Sequence, residues 1–150
     1  MTPTPHLHPT LLCLQTAVYA VNGIATFPDL VLDVAGVHQI RISAADGTGL
    51  GVTTPVETEV GNPSALYLST QPGPALDSTQ FFVLPAVSVL DRGGNLVPGV
   101  TLTITASLLR NSDGATLSGT TDVATVGGVA QFNDLSIAGL GNGFTLRFSS

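Results

Sequence analysis

Tryptophan and lysine are absent from this chain of 150 residues, and cysteine occurs once, at Cys13. Each shortage removes a class of function. The basic residues are four arginines, Arg41, Arg92, Arg110 and Arg147, set against 10 Asp and Glu for a net charge of −6. No basic patch exists to neutralise phosphates, so nucleic-acid binding and attraction to an anionic membrane surface are excluded. Without tryptophan, and with Tyr19 and Tyr67 in or beside strand-like runs, carbohydrate-binding platforms are not expected, and packing is the better account of the aromatics. A lone cysteine forms no internal disulfide. No apolar run approaches the ~20 residues that cross a bilayer as a helix, so membrane insertion is not expected. The opening stretch Met1-Thr2-Pro3-Thr4-Pro5-His6-Leu7-His8-Pro9 lacks a basic start and a sustained apolar core, and Thr10-Leu11-Leu12-Cys13 lacks the small residues of a lipoprotein cleavage site. The protein therefore stays inside, or its export signal lies upstream.

What is abundant is turn chemistry. The chain has 17 Gly and 10 Pro, and 43% of its residues are hydrophobic while 9% are charged. Threonine and serine supply the polar faces. Many short strands separated by many turns point to a sandwich or a barrel. The clearest strand is Val100 to Leu108. Val100, Leu102, Ile104, Ala106 and Leu108 fall on one face, and Thr101, Thr103, Thr105 and Ser107 on the other. Phe144, Leu146 and Phe148 alternate in the same way with Thr145, Arg147 and Ser149. Val83 to Leu90 is apolar on both faces, and its Pro85 favours the start of a strand or an edge. Ala65 to Ser69 forms another strand before Gln71-Pro72-Gly73-Pro74. Leu117 to Val126 and Val129 to Phe132 are expected to pair as a hairpin across Gly127-Gly128. Asp134 to Ile137 reads as a short strand or a single turn. No segment reads as a helix.

The chain also repeats itself. Val21-Asn22-Gly23-Ile24-Ala25-Thr26-Phe27-Pro28-Asp29-Leu30 returns 105 residues later as Val126-Gly127-Gly128-Val129-Ala130-Gln131-Phe132-Asn133-Asp134-Leu135. Ile40-Arg41-Ile42-Ser43 is answered by Leu146-Arg147-Phe148-Ser149 at an offset of 106. A period of this length matches a whole small domain and far exceeds a solenoid repeat. The resulting division is an irregular N-terminal segment over 1–15, the C-terminal part of a first repeat over 16–60, a linker over 61–63 and a second repeat over 64–150. By this offset the first copy begins upstream of residue 1, and the strand matching Gly51 to Glu57 falls beyond residue 150. Phe27 and Phe132 are expected in equivalent surroundings. With two partial modules and an open strand edge, the chain is expected to self-associate at ~100 μM, a range in which exposed edges aggregate.

Ala65-Leu66-Tyr67-Leu68 before Gln71-Pro72, Pro85-Ala86-Val87-Ser88-Val89 with Asp91 and Gly94-Asn95, Gly114 to Thr120, Gly128-Val129-Ala130 with Phe132, Asp134 and Leu135, and Gly143-Phe144-Thr145-Leu146 together resemble the bacterial immunoglobulin-like repeats of large secreted and surface proteins, including invasin- and intimin-type adhesins. The resemblance covers Ser64 to Ser150 and, as a tail, Thr16 to Val60. It implies an all-β, immunoglobulin-like antiparallel β-sandwich. It also implies a spacer role in a secreted or cell-surface protein. The partners would be neighbouring repeats, with a host or cell-surface ligand bound by other domains. Alternatives are a glycan- or calcium-dependent adhesion module and a virion surface decoration. Phe144 stands where many such sandwiches carry a corner tyrosine, so that hydroxyl bond is absent.

Candidate sites reduce to structural roles. His6 and His8 share a strand face but lack two further ligands for zinc. His38 aligns with Phe144 and reads as a partly buried structural residue. Asp46, Asp91 and Asp113 sit beside glycines and read as turn caps, because no D-x-D-x-D-G series accompanies them. Glu57 and Glu59 could meet calcium only with ligands borrowed from elsewhere. No G-x-S-x-G occurs, and Gly139-Leu140-Gly141-Asn142-Gly143 is a corner with no helix start behind it. No catalytic, cofactor-binding or metal residue is assigned, no cofactor is implied, and the chain is not expected to be an enzyme.

Overall fold

The computed structural model describes residues 11–12, 17–46, 48–110, 114–139, 141 and 143–150. Among these the only regular elements are strands. They are β1 (Leu11–Leu12), β2 (Val31–Leu32), β3 (Gly36–Ser43), β4 (Gly51–Thr58), β5 (Ala65–Thr70), β6 (Ala86–Leu90), β7 (Thr103–Arg110), β8 (Thr116–Ser118), β9 (Asp122–Ala124), β10 (Val129–Gln131), β11 (Ser136–Ala138) and β12 (Thr145–Ser149). Every ladder is antiparallel. Two compact units emerge: Met1–Gly61 with Gly93–Asn95, and Asn62–Arg92 with Leu96–Ser150.

The second unit holds a core between antiparallel sheets. One sheet runs β10-β6-β5, another β12-β7-β9, and β8 pairs with β11. The alternation in β7 sends Ile104 and Ala106 inward and leaves Thr103, Thr105 and Ser107 exposed. Across the ladder, Leu146 faces Leu108 and Phe148 faces Ala106, so β12 turns its apolar side the same way. Val87 of β6, Ala130 of β10, and Leu66 and Leu68 of β5 close on this surface from the other sheet. Phe132 lies fully buried among them, its ring centroid 5.2 Å from that of Phe148. Facing apolar surfaces from two sheets give the layered arrangement of a β-sandwich. β6 is covered on both faces, as its unbroken apolar run requires, and Pro85 stands immediately before it, where a missing N–H removes no ladder bond.

The first unit contains the two-stranded ladders β1–β2 and β3–β4. β3 and β4 pair over eight positions, from Gly36 with Thr58 to Ser43 with Gly51. No described side chain between residues 17 and 61 is fully buried. Phe27 is half-buried, unlike Phe132. Val87, Ile104 and Ala106, which surround Phe132, have no counterparts within 17–61, so the expected equivalence fails at the core.

The equivalence holds in the backbone. Val21 and Ile24 exchange both backbone hydrogen bonds, at 2.8 and 3.0 Å, and Val126 and Val129 do so at 2.9 and 3.1 Å. The enclosed pairs share one conformation, with φ of 51° and 81° at Asn22 and Gly23 and of 59° and 79° at Gly127 and Gly128. Two successive positive φ values define a type I′ turn, the one whose twist matches antiparallel strands. Its chemistry is written in the sequence as Asn-Gly and Gly-Gly.

Three expectations need correction. Val100 to Leu102 lies outside β7, which starts at Thr103, because Thr125 takes over these backbone groups: its hydroxyl donates to Val100 O at 2.9 Å and accepts from Leu102 N at 2.9 Å. The stretch Leu117 to Val126 is two strands, β8 and β9, broken at Gly119 with φ 102°. β9 pairs with β7 and β10 with β6, so the Gly127-Gly128 turn carries the chain from one sheet to the other, and β9 and β10 form no ladder together. Finally, Tyr19 is 97% exposed and Phe82 69% exposed, so neither packs as the aromatic pattern implied. Both lie outside any strand.

Thr125 is 3% exposed. Replacing it with valine keeps the volume and strands two buried backbone groups. Thr125→Val is expected to cost about 1–3 kcal/mol, the penalty for buried polar groups left unsatisfied. Urea denaturation of wild type and variant measures it.

Candidate functional site

The largest concavity in the second unit is an apolar cleft of about 700 Å³ running beside β12. Leu146 and Phe148 of β12 form one wall, Leu68 of β5 and Phe81 another, and Leu76 and Ile137 extend it. The glycines 139, 141 and 143 border it, so the glycine-rich corner frames an apolar slot. Along this slot β12 has β7 as its single ladder neighbour, which leaves its outer backbone edge unpaired among the described strands.

One carboxylate, Asp77, stands in the cleft lining. Its Oδ1 accepts from Gly139 N at 2.8 Å and from Ser78 Oγ at 3.1 Å. The Gly139 amide, followed by the Ser78 hydroxyl, holds its carboxyl below the ordinary value of 3.8. Asp77 therefore ties a loop to the strand end and remains ionised. It has neither the raised pKa nor the neighbouring base or nucleophile that acid–base chemistry calls for. The cleft is built to take up apolar side chains.

A shallower concavity of about 360 Å³ is lined by Thr120, Asp122, Gln131 and Asp134, among others. Its carboxylates are engaged internally. Asp122 Oδ1 accepts from Thr105 Oγ1 at 2.5 Å. Asp134 takes Thr120 N on Oδ1 and Thr120 Oγ1 on Oδ2, both at 2.8 Å. The Thr120 amide, then its hydroxyl, lower the pKa of Asp134.

The residues weighed from sequence are dispersed. His6, His8, Cys13 and Asp113 lie outside the described residues. His38 is half-buried and its Nε2 lies 2.7 Å from Val34 O, a structural contact. Asp46 Oδ1 caps a turn through Thr48 N at 3.0 Å and Thr48 Oγ1 at 2.7 Å, and the Thr48 amide leads in lowering its pKa. Asp91 is buried at the turn closed by the Leu90–Leu96 bridge. Glu57 and Glu59 are exposed. Among the described residues no group of three or more His, Cys, Asp or Glu is placed to hold a metal ion, and no helix is long and apolar enough to cross a membrane. Sequence reasoning missed Asp77 and the Asp134 clamp. For Asp134 a signal was present, since Asp29 repeats it.

Asp46, Asp77 and Asp134 share one pH consequence. Each folded pKa lies below the ordinary carboxylate value, so folding favours the ionised form. Their contribution is complete above the unfolded value of 3.8 and is lost as pH falls through the lower folded values. A plateau in Tm above about pH 5 is expected, with a decline below about pH 4. Asp134→Asn should flatten that decline while lowering Tm at neutral pH. Calorimetry across this range checks the sign.

Comparison with known proteins gives no match among family models, curated proteins or solved structures.

Proposed function

We propose that the chain is a non-catalytic piece of a tandem array of immunoglobulin-like sandwich modules, serving as a spacer in a secreted or surface-exposed protein. The observation that carries this reading is the recurrence, 105 residues apart, of one type I′ turn with the same φ pair and the same mutual hydrogen bonds. Further support comes from strand order. With β5, β6 and β7 taken as strands A, B and C, β10 as E and β12 as F, the orders β10-β6-β5 and β12-β7-β9 follow the E-B-A and F-C arrangement of immunoglobulin sandwiches. The sites add to it by chemistry: the carboxylates that could serve a reaction or a cation hold backbone amides and hydroxyls instead.

A spacer sets distance. Arrays carrying one, two and three further copies of the 105-residue period should lengthen by a constant increment in small-angle scattering. Collapse to a single compact particle would rule the spacer role out. A calcium-stiffened link predicts a melting temperature that drops by several degrees in EDTA, since a bound cation stabilises the folded form. Coincident melts are expected here, because Asp46 and Asp134 already spend oxygens on internal donors.

A further inference from the structure

Two observations on the second unit converge. The outer edge of β12 carries no strand, and the apolar cleft lies along that same edge. The repeat supplies the missing term. β3 is the first copy's counterpart of β12, and β3 is paired along its length with β4. We infer that β12 and its cleft form an acceptor for an extended polypeptide segment of the β4 type, added antiparallel to β12 with its apolar side chains in the cleft. The inference rests on the repeat and the cleft, and it stands whether or not the modules act as spacers.

The register follows from the first copy. Val52, Thr54 and Val56 lie opposite Ile42, Ile40 and His38. Shifted by the offset of 106, they lie opposite Phe148, Leu146 and Phe144. These are the β12-side residues of the cleft, and all three are half-buried. Thr53 then faces Arg147, so no like charges meet. The occupant is therefore an uncharged alternating strand of the pattern Val-x-Thr-x-Val. In the first unit this pattern has little to pack against, and Val52 is 60% exposed. Along β12 the same side chains enter an apolar slot about 700 Å³ in volume, large enough for several of them. Main-chain hydrogen bonds supply affinity and alternate side-chain pockets supply specificity, as in other cases of strand addition. An open edge that finds no such segment is a site for pairing between copies, which accounts for the self-association expected from the sequence.

The test uses the full chain and a synthetic peptide with the sequence Leu50 to Glu59. Amide hydrogen exchange is followed by mass spectrometry, with light scattering in parallel. At saturating peptide the β12 amides are expected to exchange at least about tenfold more slowly, while β9, at the other edge of the sheet, is unchanged. Any self-association at about 100 μM is expected to reverse as peptide occupies β12. A control peptide carrying Val52→Asp and Val56→Asp should do neither. The inference is overturned if the native peptide leaves β12 exchange unchanged, if the control slows it equally, or if association persists with β12 protected at saturating peptide. The last result would assign the edge to a second copy. Because the native chain is used throughout, no variant needs to fold.

Discussion

Phe132→Ala should cost about 3–5 kcal/mol, the range for emptying a fully buried aromatic site. Phe132 is 0% exposed and makes contact with β6, β7 and β12 residues that cannot all move inward at once. Val87 and Ile104 belong to different sheets, each held by its own ladder, so collapse around the cavity is limited. The tilted ring contact with Phe148, at 5.2 Å and 52°, disappears as well. A loss of this size is a large part of the stability of a small domain, and Tm should fall by on the order of 15 °C or more. Phe27→Ala, at the equivalent place in the repeat, should cost about 1 kcal/mol or less, because Phe27 is already half-exposed and little cavity forms. Paired thermal and urea denaturation of the two variants measures the contrast. Equal losses would mean that both phenylalanines sit in similar cores.

Gly128→Ala should cost about 2–4 kcal/mol, combining left-handed backbone strain with overpacking. Gly128 has φ 79°, and a Cβ there would lie 2.5 Å from Val97 O and 2.9 Å from its carbonyl carbon. Both are backbone atoms, and Val97 is itself held by a 3.0 Å hydrogen bond to Val89 O, so neither yields by rotating a side chain. Gly23 has nearly the same φ, 81°, yet nothing lies within 4 Å of its would-be Cβ. Gly23→Ala should therefore show the strain alone, about 1–2 kcal/mol. The difference between the two isolates the steric part from the conformational part. A Gly128→Ala loss no larger than that of Gly23→Ala would show that the Val97 backbone gives way.

Much of this fold is written in local pattern. The alternation from Thr103 to Leu108 and from Phe144 to Ser149 states which side chains face inward, because a pleat admits one answer once one face is buried. The repeated Asn-Gly and Gly-Gly pairs state the turn type, because only such residues accept two positive φ values in succession. What the pattern does not contain is pairing between distant segments. Nothing in Leu117 to Val126 says that Gly119 must pass against Asp134 O, which breaks the stretch into β8 and β9. Nothing near Thr125 says that its hydroxyl bridges Val100 and Leu102. Tyr19 misleads because aromatic character signals burial only where another surface arrives to cover it. The cleft was legible in part. An unmatched strand edge follows from the repeat, but the apolar walls come from Leu68, Leu76, Phe81 and Ile137, which meet only in three dimensions.

The ladders also carry a kinetic consequence. β12 meets β7 through Phe148 with Ala106, and β10 meets β6 through Ala130 with Val87, so each sheet closes only after long stretches of chain have been gathered in. Topologies dominated by such distant pairings fold on the order of milliseconds to seconds. Through that interval two nearly identical turn sequences compete for the same native partners, and a neighbouring copy can take a place meant for its twin.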